Sequence, residues 1–356
     1  MKNFMPVLMI FCIITSILVS ACSPSTLPPT DPKAYQLRDI DDARHELPVG
    51  ENYEWWYMDA SFDNGYSFVT SWQMISAKVN GVLTPIKVTQ FAIYDPQGNK
   101  IPALSFFTEG NSNASKASCD VTMGSNHIKG NYPRYDIEFM KDGVGCKLTF
   151  ENLTQGFRNP PDGITYFSRG PDRYMGWVVA QPKAKVTGVL IVDGKEIPVS
   201  GIGYHDHNWG NTTLNDIYNF WHWGRIMTGD YTIVYSVGES SKLTGSKPVS
   251  VIVTFKGRDL VDLSDKLYAD AGDLTLDEVT GINYPKTLVL RSEGPNVTGT
   301  VTNRVQKLVE NDPLPGMAKG AGNGYLRFLS DCDVKLNVKG EKVETRSTLI
   351  HEFIHF

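Results

Sequence analysis

Short runs in which apolar and polar residues alternate fill most of the chain, separated by clusters of Gly, Asn and Asp. Alternation with a period of two sends successive side chains to opposite faces of a strand. On that basis residues 66–72, 185–192, 231–237 and 334–338 are expected to be strands. Asp193-Gly194, between Val192 and Lys195, predicts a tight hairpin, because both positions tolerate the left-handed backbone such turns require. Lys339-Gly340 marks another turn. Two stretches, Asn303–Glu310 and Asp262–Ala271, are the candidates for short helices. The fold class expected is therefore all-β, of sandwich or barrel architecture.

The pattern also echoes itself. With an offset of 165 residues (66 onto 231), Trp55-Trp56 falls on Phe220-Trp221 and residues 66–71 fall on 231–236. In both copies an aromatic-rich segment precedes a Gly-bearing turn and a second strand, which points to two similar β-modules meeting between Asn211 and Tyr218. Length agrees, since a chain of this size exceeds what one core usually holds.

Composition changes the picture mainly at the start. One lysine, an apolar run from Met5 to Val19 and then Ser20-Ala21-Cys22 have the form of an export signal. The run is short for a membrane span, which needs about 20 residues. Val19-Ser20-Ala21-Cys22 resembles the processing site of bacterial-type lipoproteins, in which the cysteine is lipidated; the alternatives are an uncleaved N-terminal anchor or a chance cysteine. Residues 1–21 are thus expected to be a signal peptide, with Cys22 as lipid anchor. Residues 22–45 form a tethering linker, rich at first in Pro, Ser and Thr. Residues 46–214 and 215–356 are the two domains. The product would be an exported, membrane-anchored lipoprotein of the cell envelope. Net charge is −5, with no basic cluster, so nucleic-acid binding is excluded as a function class. Of the remaining cysteines, Cys119 and Cys146 are nearest in sequence and are the preferred pair should a disulfide form.

Two stretches carry chemistry. The chain ends His351-Glu352-Phe353-Ile354-His355, which matches the helical zinc-protease pattern H-E-x-x-H. Here the segment reads as a closing strand, on which the two histidines stand about 13 Å apart, too far to share one metal. The other stretch is Gly203-Tyr204-His205-Asp206-His207-Asn208-Trp209-Gly210. Alternation puts Tyr204, Asp206 and Asn208 on one face, and His205, His207 and Trp209 on the other. A metal on the two histidines is geometrically possible, but no third ligand is evident, and the same groups could instead fasten a domain junction. No Gly-x-Ser-x-Gly elbow is present, which removes one class of hydrolase. An aspartate walled by aromatic rings loses hydration and holds its proton towards neutral pH. The wall is available in Trp55, Trp56, Trp72, Trp177, Trp221 and Trp223, with Arg225 in line behind the last two.

Glu54-Trp55-Trp56-Tyr57, Gly176-Trp177-Val178-Val179, the run 201–210 and Trp221-His222-Trp223-Gly224-Arg225 together resemble the AttH-like proteins and the related carotenoid 1,2-hydratases. The resemblance implies two tandem lipocalin-like (calycin) β-barrel domains. It further implies water addition to a double bond of an acyclic isoprenoid, started by proton transfer and requiring no cofactor. A Tyr-x-Asp pair delivers the proton in those enzymes and matches Tyr204 and Asp206. Their upstream His-x-Trp pair matches Met175-Gly176-Trp177, where the tryptophan is kept and the histidine is not.

The expectation is a tethered lipocalin-like protein that binds a hydrophobic isoprenoid or lipid and works as a hydro-lyase or isomerase. Asp206 and Tyr204 would be catalytic. Trp56, Trp177, Trp221, Trp223, Arg225 and His207 would contact the substrate, with neither metal nor cofactor. The alternative is a non-catalytic lipid carrier or attachment-associated surface lipoprotein.

Overall fold

The structure is a computed structural model that describes residues 35–159, 162–167, 172–314 and 318–356. The signal segment, Cys22 and the proline-rich start of the linker lie outside the described residues. Within them the chain forms two antiparallel sheets, thirteen strands between Asn52 and Gly210 and nine between Tyr218 and His355. The first sheet curls into a nearly closed barrel and the second into a half-barrel. No helix among the described residues is long and apolar enough to cross a membrane.

Both sheets share one plan. The first strand lies between the second and the last: Asn52–Phe62 pairs with Ser67–Val79 and Lys195–Gly210, and Tyr218–Thr228 with Tyr231–Ser240 and Glu341–His355. The C-terminal strand is thus the closing strand expected of the H-E-x-x-H segment. Asp193 and Gly194 (φ 50° and 73°) make the tight hairpin, and Lys339 and Gly340 (φ 50° and 90°) make another.

The shared plan corrects the 165-residue offset. In the second strands that offset carries inward Phe68 and Trp72 onto inward Ile233 and Val237. In the first strands it carries Trp56, buried in the first barrel, onto Trp221, which faces out of the second. A one-residue slip flips every side chain, so an offset of 166 matches the faces there. The intervening turn is one residue shorter in the second domain, where Met227 pairs with Thr232 across four residues and the first domain pairs Ser61 with Ser67 across five.

Neither expected helix is present. Asn303–Glu310 lies within the strand Val297–Pro313, and Asp262–Ala271 spans the end of one strand and the start of the next, Leu267–Leu276. The pairing with Gly324–Val338 slips between Val305 and Lys307 and again between Leu308 and Glu310. Such bulges add residues to one strand and break its alternation, leaving apolar residues at helix-like spacing. The preferred disulfide is absent as well: Cys119, Cys146 and Cys332 are all free and buried. Two strands separate Cys119–Met123 from Val144–Asn152. At about 4.8 Å per strand the two strands lie roughly 14 Å apart across the sheet, and the register places Phe150, not Cys146, in line with Cys119, so the thiols are beyond disulfide reach.

Candidate functional site

The barrels are filled. Trp56, Trp72, Phe91, Phe139 and Phe150 pack the first, and Ile233, Tyr235, Leu288, Leu290 and Val334 pack the second. The large cavity lies between them, a cleft of about 1680 Å³ walled by the outward faces of both sheets. That exceeds the ~300–1,000 Å³ usual for small-ligand sites. Trp55 and Trp177 line it from the first domain, and Trp221, Trp223 and Ile354 from the second.

Strand alternation along Lys195–Gly210 aims Asp206 and Asn208 into this cleft. Asp206 is only 6% exposed. Its Oδ2 accepts hydrogen bonds from Trp177 Nε1 and Tyr204 OH, each at 2.9 Å, and its Oδ1 accepts one from Asn208 Nδ2 at 3.0 Å. Burial pushes this carboxyl up to about 6, further than the Trp177 and Tyr204 donors pull it down; the charge of Glu352 pushes it the same way. Tyr204 is fully buried, with the Arg225 guanidinium 4.9 Å from its ring centre and Trp223 edge-on at 5.2 Å. Tyr204 thus supports Asp206 from behind the wall.

Polar groups that the sequence reading did not select face Asp206 from the second domain. Arg327, Glu352 and Tyr325 line the cleft on neighbouring strands. Glu352 Oε1 accepts from Tyr325 OH and from Arg327 Nη2, both at 2.7 Å, and Arg327 Nη2 also donates to Tyr57 OH at 2.8 Å. Tyr57 OH in turn donates to Asp59 Oδ2 at 2.8 Å, and Asp59 accepts the two Arg225 bonds. Two arginines from one domain thus reach tyrosine and carboxylate of the other. The only sequence signal for Glu352 was the H-E-x-x-H match. On the strand, the glutamate faces the cleft while His351 is buried against Phe328.

Behind the wall lies a second polar group. His205 Nε2 meets Asp42 Oδ2 at 3.1 Å, and its Nδ1 donates to the Tyr57 carbonyl at 2.8 Å. His207 Nε2 lies 3.0 Å from Glu54 Oε1, and its Nδ1 3.4 Å from Asp42 Oδ1. Burial opposes charge on both rings, but the carboxylates prevail: His205 is raised and His207 is raised to about 9. These are buried ion pairs that clamp the turn Asp39–Asp42 onto the barrel. Asp42, Cys119 and His205, or His45, Glu54 and His207, stand close enough to hold a cation. The third ligand that sequence did not show is therefore available, but these groups face away from the cleft.

The structure thus divides the expected site. Asp206, Trp177, Trp221 and Trp223 converge on the cleft, with Tyr204 bonded to the first. Trp56 and His207 do not: they stack on each other at 4.4 Å inside the first barrel, because odd and even positions of a strand face opposite ways. Trp72 is also in that core. Arg225 sits behind Tyr204, paired with Asp59 rather than with Asp206.

Residues 29–317 match the Svf1 family. The chain belongs to the Svf1 family. The resemblance to AttH-like, lipocalin-type proteins holds as well. A structure assigned to AttH from Nitrosomonas europaea superposes with a TM-score of 0.64 at 13% identity, covering 92% of this chain and 99% of that one. CghA crystallised with Sch210972 superposes at 0.65 and 12% identity, over 91% and 98% of the two chains. Kievitone hydratase from Nectria haematococca superposes at 0.56 and 16% identity, over 90% and 93%. Among curated sequences, the hydroxyneurosporene dehydrogenase of Chlorobaculum tepidum is 25% identical over 232 residues, 56% of this chain and 59% of that protein. The quinolone epoxide rearrangement protein penF of Penicillium thymicola is 30% identical over 112 residues, 30% of each chain. Both alignments thus span less than two thirds of these relatives' lengths.

Proposed function

We propose that this Svf1-family protein is an acid catalyst that protonates a carbon–carbon double bond of a hydrophobic isoprenoid or similar lipid, hydrating or isomerising it. The observation that carries the reading is Asp206, a buried carboxyl that keeps its proton to about pH 6 beside an indole-walled cleft. The Asp206 proton would pass to one alkene carbon, leaving a cation on the other. The faces of Trp221 and Trp223 stabilise that cation through their quadrupoles. Tyr204, Trp177 and Asn208 already donate to the carboxyl oxygens and so stabilise the carboxylate as it forms. Capture by water gives an alcohol; proton loss gives an isomer. No step calls on a cofactor. The names of the relatives, a hydratase and an epoxide rearrangement protein, support chemistry of this kind.

The test is Asp206→Asn. With squalene as probe, hydration or isomerisation is expected to fall about 10²–10⁴-fold. Quenching of tryptophan fluorescence by bound squalene should be unchanged. Equal turnover would remove Asp206 as the acid. The carrier reading draws on the same cleft, whose volume suits a whole lipid. It would be favoured if squalene bound tightly and emerged chemically unaltered. We further propose that Cys22 carries a lipid anchor, which holds the cleft beside a membrane.

A further inference from the structure

We propose that Glu352 is the general base of the site, facing the acid Asp206 from the opposite domain. This rests on the acid-catalyst reading and extends it, since a protonated alkene still needs a group to take a proton from water or carbon.

Glu352 meets the geometric requirements. It lines the same cleft as Asp206, but from the closing strand of the second sheet. Its ion pair with Arg327 and the Tyr325 bond both go to Oε1, so among the described residues Oε2 is the oxygen open to a proton. Arg327 is itself buried and fixed by Tyr57 of the first domain, which sets the reach of Glu352 across the cleft. The two carboxyls therefore differ in surroundings. Asp206 accepts only from neutral donors, whereas Glu352 has a guanidinium beside it. The carboxylate ion-paired with Arg327 is thereby placed to accept a proton, and the carboxyl held by Tyr204, Trp177 and Asn208 to give one.

The step balances. The Asp206 hydroxyl proton forms the new C–H bond with the alkene π pair, and Asp206 becomes a carboxylate. A water oxygen forms the C–O bond while Glu352 Oε2 takes the water proton. Proton exchange with solvent then restores both groups, and the net change is addition of one water. If no water is present, Glu352 takes a proton from the carbon next to the cation, and the released electron pair forms the shifted double bond.

The experiment uses the full chain with squalene, farnesol and geranylgeraniol, in H₂¹⁸O to follow hydration and in D₂O to follow protonation. Glu352→Gln is expected to lose ¹⁸O incorporation and isomer formation by about 10²–10⁴-fold. It should keep deuterium exchange into the recovered alkene, because Asp206 still gives and retakes its proton. Asp206→Asn should lose both. Hydration by Glu352→Gln within threefold of the unsubstituted rate would overturn the inference and leave the acid reading standing. Loss of deuterium exchange in Glu352→Gln would also overturn it, by showing a structural role. Absence of deuterium uptake by the unsubstituted protein from all three probes would overturn the acid reading, and this inference with it.

Discussion

Asp206 is the residue on which the proposed chemistry rests, and its protonation would set the pH dependence of that reaction. Its carboxyl is raised from 3.8 to about 6, with burial as the leading cause. The acid form is therefore full below about pH 5 and falls roughly tenfold per unit above 6. The sign for stability is the same. The folded state keeps a proton that the unfolded state releases above 3.8, so this contribution is present at low pH and lost as pH rises through 6. At this scale much was legible in the sequence. Alternation alone put Tyr204 and Asp206 on one face and the two histidines on the other, and the structure shows that division. It could not show that Trp56 and His207 turn inward, because alternation separates two faces without saying which one meets the partner domain. Glu352 and Arg327 stayed hidden for a related reason. They share a cleft with Asp206, and Arg327 reaches Tyr57, only when two barrels dock, an arrangement that no local pattern encodes.

At the scale of the element, the strand Lys195–Gly210 presents a face to the cleft and a clamping face at once. Its inward histidines hold Asp42, and Trp56 Nε1 donates to the Asp42 carbonyl at 3.1 Å. Close packing fixes the neighbouring strand: a Cβ on Gly176 would sit 1.9 Å from Trp209, so the residue before Trp177 must be glycine for the indole to lie where it does. Replacing Asp42 with Asn is expected to leave His205 without its buried counter-charge. The cost should be about 3–5 kcal/mol, read as a lower urea midpoint. A change below about 1 kcal/mol would show that the clamp contributes little. Strands were the most legible elements, and the tight turns at Asp193-Gly194 and Lys339-Gly340 followed from their residues. The misread helix at Asn303–Glu310 shows the limit: bulges opposite Gly324–Val338 erase the period of two.

For the whole molecule, side chains pack the interiors of both barrels, and the large cavity among the described residues lies between them. That arrangement explains why aromatic residues crowd the outward faces of Asn52–Phe62 and Tyr218–Thr228, which in an isolated barrel would face water. Arg225 with Asp59, and Arg327 with Tyr57, fix the width of the cleft. The tandem plan was legible from the internal echo, but the site between domains was not. Membrane tethering belongs to this scale as well. Cys22→Ser should move the protein from the membrane to the soluble fraction, and unchanged membrane association would refute lipidation at that position.

Infrared difference spectroscopy of the Asp206 carboxyl, taken as unsubstituted protein minus Asp206→Asn across pH 4–8, tests the central claim most directly. A protonated-acid band that persists to a midpoint near pH 6 is the predicted result. A midpoint at or below 4, the value of a hydrated aspartate, would contradict the account.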